Sequence, residues 1–165
     1  MKKIWTFMFV SAFFIVSACA QQPKASPTSK ATGKAGNANI TITYGQPSVK
    51  GRVIFGDLVP YGKVWRTGAN EATIFETDSD IMVEGKKLPV GKYALFTIPG
   101  EKTWTIIFNK TWNQWGSFKY KQEDDVLRVE AKPQVCPMTE LMTFNVANNK
   151  VMLAWDKTAV EFAVK

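Results

Sequence analysis

The feature that most constrains the fold is an apolar–polar alternation with a period of two. Residues 39–44 place Ile40, Ile42 and Tyr44 on one face of an extended segment, with threonines on the other. The same alternation recurs in residues 104–108, 126–132, 151–155 and 160–164. Residues 92–98 are almost all apolar, as in a central strand covered on both faces. A period of two in β-branched and aromatic residues is typical of half-buried β-strands.

Turn-forming residues separate these segments. Glu84-Gly85 and Asn148-Asn149 predict tight hairpin turns, because glycine and asparagine tolerate positive φ, and Asp156-Lys157 predicts a turn between the last two strands. Only residues 55–59 suggest a short helical turn. About nine short strands with turns every eight to twelve residues indicate an all-β fold. We therefore predict a single, mostly antiparallel β-sandwich of jelly-roll or immunoglobulin-like type.

The N-terminus has the pattern of an export signal. Two lysines follow Met1, residues 4–16 are an apolar run, and Val16-Ser17-Ala18 leads into Cys19. A basic start, a short apolar run and small residues at a cleavage point mark a secretory signal. The run is shorter than the roughly 20 residues of a spanning helix. The ending resembles a lipobox, so we predict a signal peptide over residues 1–18 and lipidation of Cys19. An ordinary cleaved signal is the alternative.

The next segment differs in composition from the rest. Residues 20–37 are small and polar, so residues 19–37 are predicted to form a flexible tether, with one β-sandwich domain over residues 38–165. Five of the 21 basic residues precede Ala38 and all 14 acidic residues follow it, so the domain itself is nearly neutral. We expect a membrane-anchored lipoprotein of the cell envelope, facing the periplasm, with the membrane as a partner and no nucleic acid.

Composition excludes most familiar catalytic chemistry. The chain has no histidine, which removes the Ser-His-Asp and Cys-His nucleophiles and the commonest transition-metal ligand. With Cys19 lipidated, Cys136 is a lone thiol and is predicted to be a small buried side chain. No motif predicts a metal or a cofactor. A carboxylate pair of Glu71 with Asp57 or Asp125 leaves a glycosidase-like hydrolase as an alternative.

The first candidate binding segment covers residues 58–71, a long irregular stretch rich in glycine and aromatics. Long loops in compact domains tend to be functional. Trp65 offers a flat face, Arg66 a fork for a carboxylate or phosphate, and Asn70 and Glu71 offer polar groups. The structural alternative places Trp65 in the core and pairs Arg66 with Glu71.

The second candidate segment covers residues 111–120. Trp112, Trp115 and Tyr120, with two amides between them, form a potential stacking platform of the kind that carbohydrate sites use. In the alternative, the loop folds back and closes one end of the sandwich.

These same stretches carry a family resemblance. Residues 47–52, 59–71, 91–100, 113–116 and 125–129 match motifs of a bacterial family, and the long tryptophan motif at 59–71 is specific. The chain resembles the domain of unknown function 2911 family from about Ser26 to its C-terminus. The resemblance implies an exported envelope protein and supplies no activity or catalytic residues.

Three functional hypotheses follow. We favour a non-catalytic binding module for a glycan, a wall fragment or a partner protein, held between residues 65–71 and 112–115. A structural component of an envelope assembly is the second, and would show a contiguous exposed apolar patch. A carboxylate-dependent hydrolase is the third.

Overall fold

The computed structural model describes residues 26–165, so the predicted signal peptide, Cys19 and the start of the tether lie outside the described residues. The described residues form ten strands and one short 3-10 turn at Gln122–Asp124. The strands are β1 (Thr28–Ala35), β2 (Ala38–Gly45), β3 (Ala69–Thr77), β4 (Ile81–Val83), β5 (Lys86–Leu88), β6 (Gly91–Ile98), β7 (Trp104–Asn109), β8 (Asp125–Ala131), β9 (Pro133–Ala147) and β10 (Lys150–Ala163). Within this part of the chain, no helix is long and apolar enough to cross a membrane.

Two layers face each other. One is a six-stranded antiparallel sheet in the order β1-β2-β3-β6-β7-β8, and the other is built on the long β9–β10 hairpin. The small β4–β5 hairpin extends the second layer, because Val83 bridges Val164 beside β10. The predicted antiparallel sandwich is confirmed. The six-stranded sheet follows chain order, so it is a meander rather than the Greek key found in jelly-roll and immunoglobulin-like sandwiches.

The main core lies between the two layers. Ile40, Ile42 and Tyr44 of β2 are buried there, as their alternation predicts, and the Tyr44 ring packs edge-on against Phe144 of β9 at 4.9 Å. Each fully buried side chain of this size contributes roughly 1.5–3 kcal/mol. This inner core holds the layers together.

A second, smaller core covers the opposite face of the six-stranded sheet. Strand β6 is buried on both faces, which confirms the prediction for residues 92–98. On the outer face, Phe96 and Ala94 cluster with Ala72 and Ile107. The side chains that cover this outer cluster are Val64, Ile98 and Tyr120. Both candidate binding segments therefore contribute to the outer face.

The predicted tether over residues 19–37 ends earlier than its composition suggests. Thr28–Ala35 pair with β2 along their whole length and form β1. An edge strand buries only part of its surface, so it needs no large apolar side chains. Gly33 also requires its small size, since a Cβ there would lie 2.2 Å from the carbonyl oxygen of Val146. The domain boundary thus moves from residue 38 to before residue 28.

The C-terminal region contains one strand where two were predicted. Inward residues are odd-numbered before Asp156 and even-numbered after it, and the turn-forming residues Asp156-Lys157 predict a turn between two strands. Instead, Asp156 adopts a φ of 56° within β10, and the register shifts on either side of it. A β-bulge of this kind changes which side chains of a strand point toward the core, and the strand continues beyond it.

Other local predictions can be compared directly. The turns at Glu84-Gly85 and Asn148-Asn149 are confirmed, with positive φ at all four residues. Residues 55–59 form a compact turn closed by a Phe55–Val59 bridge rather than a helix. Cys136 is half-buried, with Sγ 4.0 Å from the carbonyl oxygen of Asp156.

Candidate functional site

The loop between β7 and the 3-10 turn, residues 110–121, lies across the outer face and is called the aromatic loop below. Its backbone runs beside the start of β3. The amide of Ala72 donates to the Gln114 carbonyl at 3.0 Å, and the amide of Gly116 donates to the Asn70 carbonyl at 3.1 Å. Glu71 and Trp115 form an antiparallel bridge between these bonds. The loop is thus attached to the sheet as a short additional strand.

A partly buried polar network holds the C-terminal end of the aromatic loop. The Tyr120 hydroxyl donates to Asp125 Oδ2 at 2.6 Å, and Arg128 Nε donates to the same oxygen at 2.7 Å. Arg128 Nη2 donates to the Tyr120 oxygen at 2.6 Å, while Asn109 Nδ2 donates to Asp125 Oδ1 at 2.8 Å. The Tyr120 ring packs on Phe96 at 5.1 Å. Burial, and then the bond to Asp125, raise the pKa of Tyr120.

The N-terminal end of the loop is held in a similar way. The amide of Thr111 donates to Asn109 Oδ1 at 3.0 Å, and the Thr111 hydroxyl donates to Asp124 Oδ2 at 2.9 Å. The Lys110 ammonium lies 3.2 Å from the same carboxylate. The Thr111 hydroxyl, ahead of Lys110, holds the pKa of Asp124 below its usual value. The acidic residues 124 and 125 therefore anchor the loop at both ends.

Three aromatic rings on this anchored loop face solvent. Phe118 is 86% exposed, Trp115 is 56% exposed and Trp112 is 38% exposed. The Lys92 ammonium lies 4.8 Å from the centre of the Trp112 ring and 3.1 Å from Glu76. Exposed apolar rings grouped on one loop mark a candidate interaction surface.

Gln114 belongs to the same loop and is only 8% exposed. Its Nε2 donates to the Thr111 carbonyl at 2.6 Å, whereas its Oε1 is buried and accepts no hydrogen bond. A buried acceptor without a donor typically costs about 1–3 kcal/mol.

Arg66 lies on the same outer face because the segment around it is extended. Trp65 pairs with Thr97 and points into the inner core, whereas Val64 packs on the outer cluster. Arg66, two residues beyond Val64, therefore points outward. Its side chain is half-buried, its Nε has no hydrogen-bond partner, and desolvation lowers the pKa of the guanidinium. No ion pair joins Arg66 to a carboxylate within residues 26–165, so the predicted bracing pair with Glu71 is absent there.

A strained turn follows Arg66. Thr67 has a φ of 54°, which is unusual for a β-branched residue. The Thr67 hydroxyl donates to the Trp65 carbonyl at 3.3 Å and lies 3.1 Å from the Thr97 hydroxyl, while the Thr73 hydroxyl donates to the Thr67 carbonyl at 2.7 Å. Conformations of this kind cost about 1–3 kcal/mol and persist where surrounding contacts fix them.

Trp65 occupies the inner core, as the structural alternative for this residue expected. It is 8% exposed, stacks on Trp155 at 5.9 Å, and meets Phe55 and Trp104 edge-on. Its Nε1 donates to the Gly68 carbonyl at 3.2 Å. Trp65 therefore presents no face to the outer surface.

The remaining predicted residues gather on the outer face. Asn70 has a φ of 62°, and its Nδ2 donates to the carbonyl of Ser26 at 2.9 Å. Glu71 is exposed and borders a cavity of about 200 Å³ that Thr28 and Ala72 also line. Trp112, Trp115 and Tyr120 belong to the aromatic loop, the last beneath it. The residues brought together are Arg66, Asn70, Glu71, Trp112, Trp115 and Tyr120.

Sequence reasoning did not select Phe118, Gln114, Asp125 or Arg128 for this site. The Asp125–Arg128 spacing of three predicts opposite faces of a strand. A pairing irregularity beside Asn109 leaves Val126 without a partner and brings both side chains to the Tyr120 hydroxyl. Phe118 stood in the selected segment, and only its position relative to the sheet shows its exposure.

The carboxylates proposed for an acid pair lie in different settings. Both oxygens of Asp125 accept hydrogen bonds in the anchoring network, and Asp57 is exposed in the turn at residues 55–59. Over residues 26–165, no group of three or more acidic, cysteine or histidine side chains has the arrangement of a metal site.

Comparison with known proteins gives one match. No curated protein and no solved structure matched the chain significantly. A family model described as "Protein of unknown function (DUF2911)" matches residues 26–164, which include every strand described above. The chain belongs to the DUF2911 family.

Proposed function

We propose that this protein is a lipid-anchored, non-catalytic binding module of the cell envelope that holds a glycan or a wall fragment on its aromatic loop. The observation that carries the proposal is the exposure of Trp112, Trp115 and Phe118 on a loop anchored from beneath. The lipobox-like leader ending at Cys19 supports placement at a membrane surface.

The chemistry of sugars suits this surface. A sugar ring has an apolar C–H face that packs on an aromatic ring, and hydroxyl groups at its rim that seek hydrogen-bond partners. Aromatic side chains supply a large rigid contact area at a low cost in conformational entropy. Anchoring at Asp124 and Asp125 fixes the rings before a ligand arrives, which reduces the ordering cost of binding.

The test is affinity for a panel of immobilised and soluble oligosaccharides, with the wild-type protein and with Phe118→Ala. Phe118 is the most exposed ring of the loop, so its removal should leave the free energy of unfolding within about 0.5 kcal/mol. We expect saccharide binding to weaken about tenfold or more, by analogy with the 1–3 kcal/mol of a stacked base. Tyr61→Ala removes an exposed aromatic outside the loop and serves as the matched control. Binding that Phe118→Ala leaves unchanged would refute the proposal.

A second candidate function has its own observation. In the first half of β9, Val135 is 92% exposed, and Met138 and Leu141 are also exposed. An exposed apolar edge strand favours a structural role in an envelope assembly. In that case, the protein extracted from membranes migrates as a complex larger than a monomer, and Val135→Asp dissociates it. Migration as a monomer before any substitution would exclude this role.

A further inference from the structure

The charge of Arg66 has no counterpart in the described part of the chain. Its guanidinium is partly desolvated, its Nε donor is buried without an acceptor, and no described carboxylate pairs with it. Buried charges in proteins are normally paired and hydrogen-bonded. Packing alone does not explain this residue, since an apolar side chain would cover the outer cluster without the desolvation penalty.

A second polar atom, on the aromatic loop, also lacks a hydrogen-bond partner. Gln114 Oε1 is a buried acceptor without a donor. The segments that carry the two residues both bond to the start of β3, because the Arg66 carbonyl accepts from Thr73 and the Gln114 carbonyl accepts from Ala72. One unfilled donor and one unfilled acceptor therefore belong to segments that flank β3, and the second belongs to the aromatic loop itself.

We propose that the ligand of the aromatic loop is an acidic saccharide, with its carboxylate or phosphate group paired with Arg66 and its sugar ring stacked on an exposed aromatic side chain. The proposal rests on the function proposed above and names the chemical class of its ligand. The planar guanidinium fork suits either anion.

The position of Ser26, the first described residue, indicates where such a ligand lies. The carbonyl of Ser26 is bonded to Asn70, and the carbonyl of Asn70 is bonded to Gly116 of the aromatic loop. Ser26 is seven positions after Cys19, a length of chain that spans at most about 25 Å when extended. A lipid on Cys19 would thus keep the aromatic loop close to the headgroup layer. A glycolipid headgroup and a free acidic polymer both combine a sugar ring with an anionic group. Only the glycolipid headgroup is held at the membrane surface.

The first arm of the test uses free sugars that differ only in charge. Trigalacturonic acid carries a carboxylate where galactotriose carries a hydroxymethyl group. The protein, purified from membranes in detergent, is titrated with each sugar by calorimetry. We expect tighter binding of the acid, a loss of about tenfold or more in Arg66→Gln for the acid alone, and no change in Lys157→Gln, which removes an exposed charge from the opposite sheet.

The second arm uses vesicles of phosphatidylcholine that contain monophosphoryl lipid A, a phosphorylated saccharide lipid, or phosphatidylglycerol, an anionic lipid without sugar. The anchor is common to all variants, so only differences between variants are compared. A headgroup ligand predicts that Arg66→Gln weakens binding to the saccharide lipid about tenfold and leaves binding to phosphatidylglycerol unchanged. If Arg66→Gln weakens binding only in the first arm, the ligand is a free polymer. If Arg66→Gln weakens binding to the saccharide lipid in the second arm, the ligand is a glycolipid.

Thermal unfolding separates a ligand role from a structural one. Without ligand, Arg66→Gln should unfold at the same temperature as the wild type or higher, because it removes a desolvated and unpaired charge. A lower unfolding temperature, with equal losses for both sugars, would show that Arg66 only supports the fold. Equal binding of acidic and neutral saccharides by the wild type, or an affinity for the acid that Arg66→Gln leaves unchanged, would overturn this inference and leave the binding function standing. Failure of the wild type to bind any saccharide would overturn both.

Discussion

Replacement of Asp125 by asparagine tests whether the buried network holds the aromatic loop in place. The Asp125 side chain is 6% exposed, and its two oxygens accept from Tyr120, Arg128 and Asn109. Asparagine keeps the shape but offers a single acceptor oxygen, with an NH₂ group in place of the other. One side of the substituted amide must therefore face a donor.

The expected loss follows from the partners that remain. Removing one member of a buried ion pair costs about 3–5 kcal/mol when the other charge stays buried. Arg128 is 34% exposed and recovers part of its hydration, which reduces this loss. The donor facing the new NH₂ group adds part of the about 1–3 kcal/mol of an unsatisfied buried group. We expect Asp125→Asn to lower the free energy of unfolding by about 2–3 kcal/mol.

Urea unfolding followed by tryptophan fluorescence measures this loss. With an m-value of about 1–3 kcal/mol per molar urea, the midpoint should fall by roughly 1–2 M. Hydrogen exchange of residues 110–121 should accelerate more than that of β2, since the loop loses its anchor. Asp124→Asn, which affects a more exposed carboxylate, serves as the control and should shift the midpoint less. A midpoint of Asp125→Asn within 0.3 M of the wild type would refute the reasoning.

Three further predictions concern the core and the sheet. Gly33→Ala should destabilise the protein by about 1–3 kcal/mol in urea unfolding, because its Cβ would overlap the Val146 carbonyl oxygen; wild-type stability would contradict the close approach of β1. Trp65→Ala should cost about 3–5 kcal/mol, and unchanged stability would contradict its place in the core. Burial raises the pKa of Tyr93 and Tyr120, so stability should be complete below about pH 10 and fall as the pH rises above it. The absorbance difference at 295 nm between the wild type and Tyr120→Phe should place the ionisation of Tyr120 above about pH 10, and ionisation of that side chain below about pH 10 would contradict this.

Local pattern was sufficient for much of the fold. The alternation in residues 39–44 and the all-apolar run in 92–98 identified β2 and β6, and the asparagines at 148 and 149 identified the turn between β9 and β10. These features depend on residues adjacent in the chain. The pattern was misleading at Asp156, where a bulge inside one strand has the same alternation as a break between two strands.

The sequence predicted two loop segments as a candidate site but did not predict how each side chain is oriented. Both segments contribute side chains to the outer face. Trp65 and Arg66 are adjacent in the chain, yet one enters the core and the other the outer face, because Trp65 pairs with Thr97. Pairing with a residue more than 30 positions away leaves no signal in a local pattern.

By itself, the sequence determined the all-β class, the two tight hairpin turns and the two segments that carry exposed aromatic residues, since each depends on near neighbours in the chain. Only the tertiary structure decided that the polar segment 28–35 is a strand, that Asp125 anchors the aromatic loop, and that the segments of Arg66 and Gln114 both bond to the start of β3. These properties arise from contacts between segments that are distant in the chain. Such contacts decide which buried side chains have a hydrogen-bond partner and which do not.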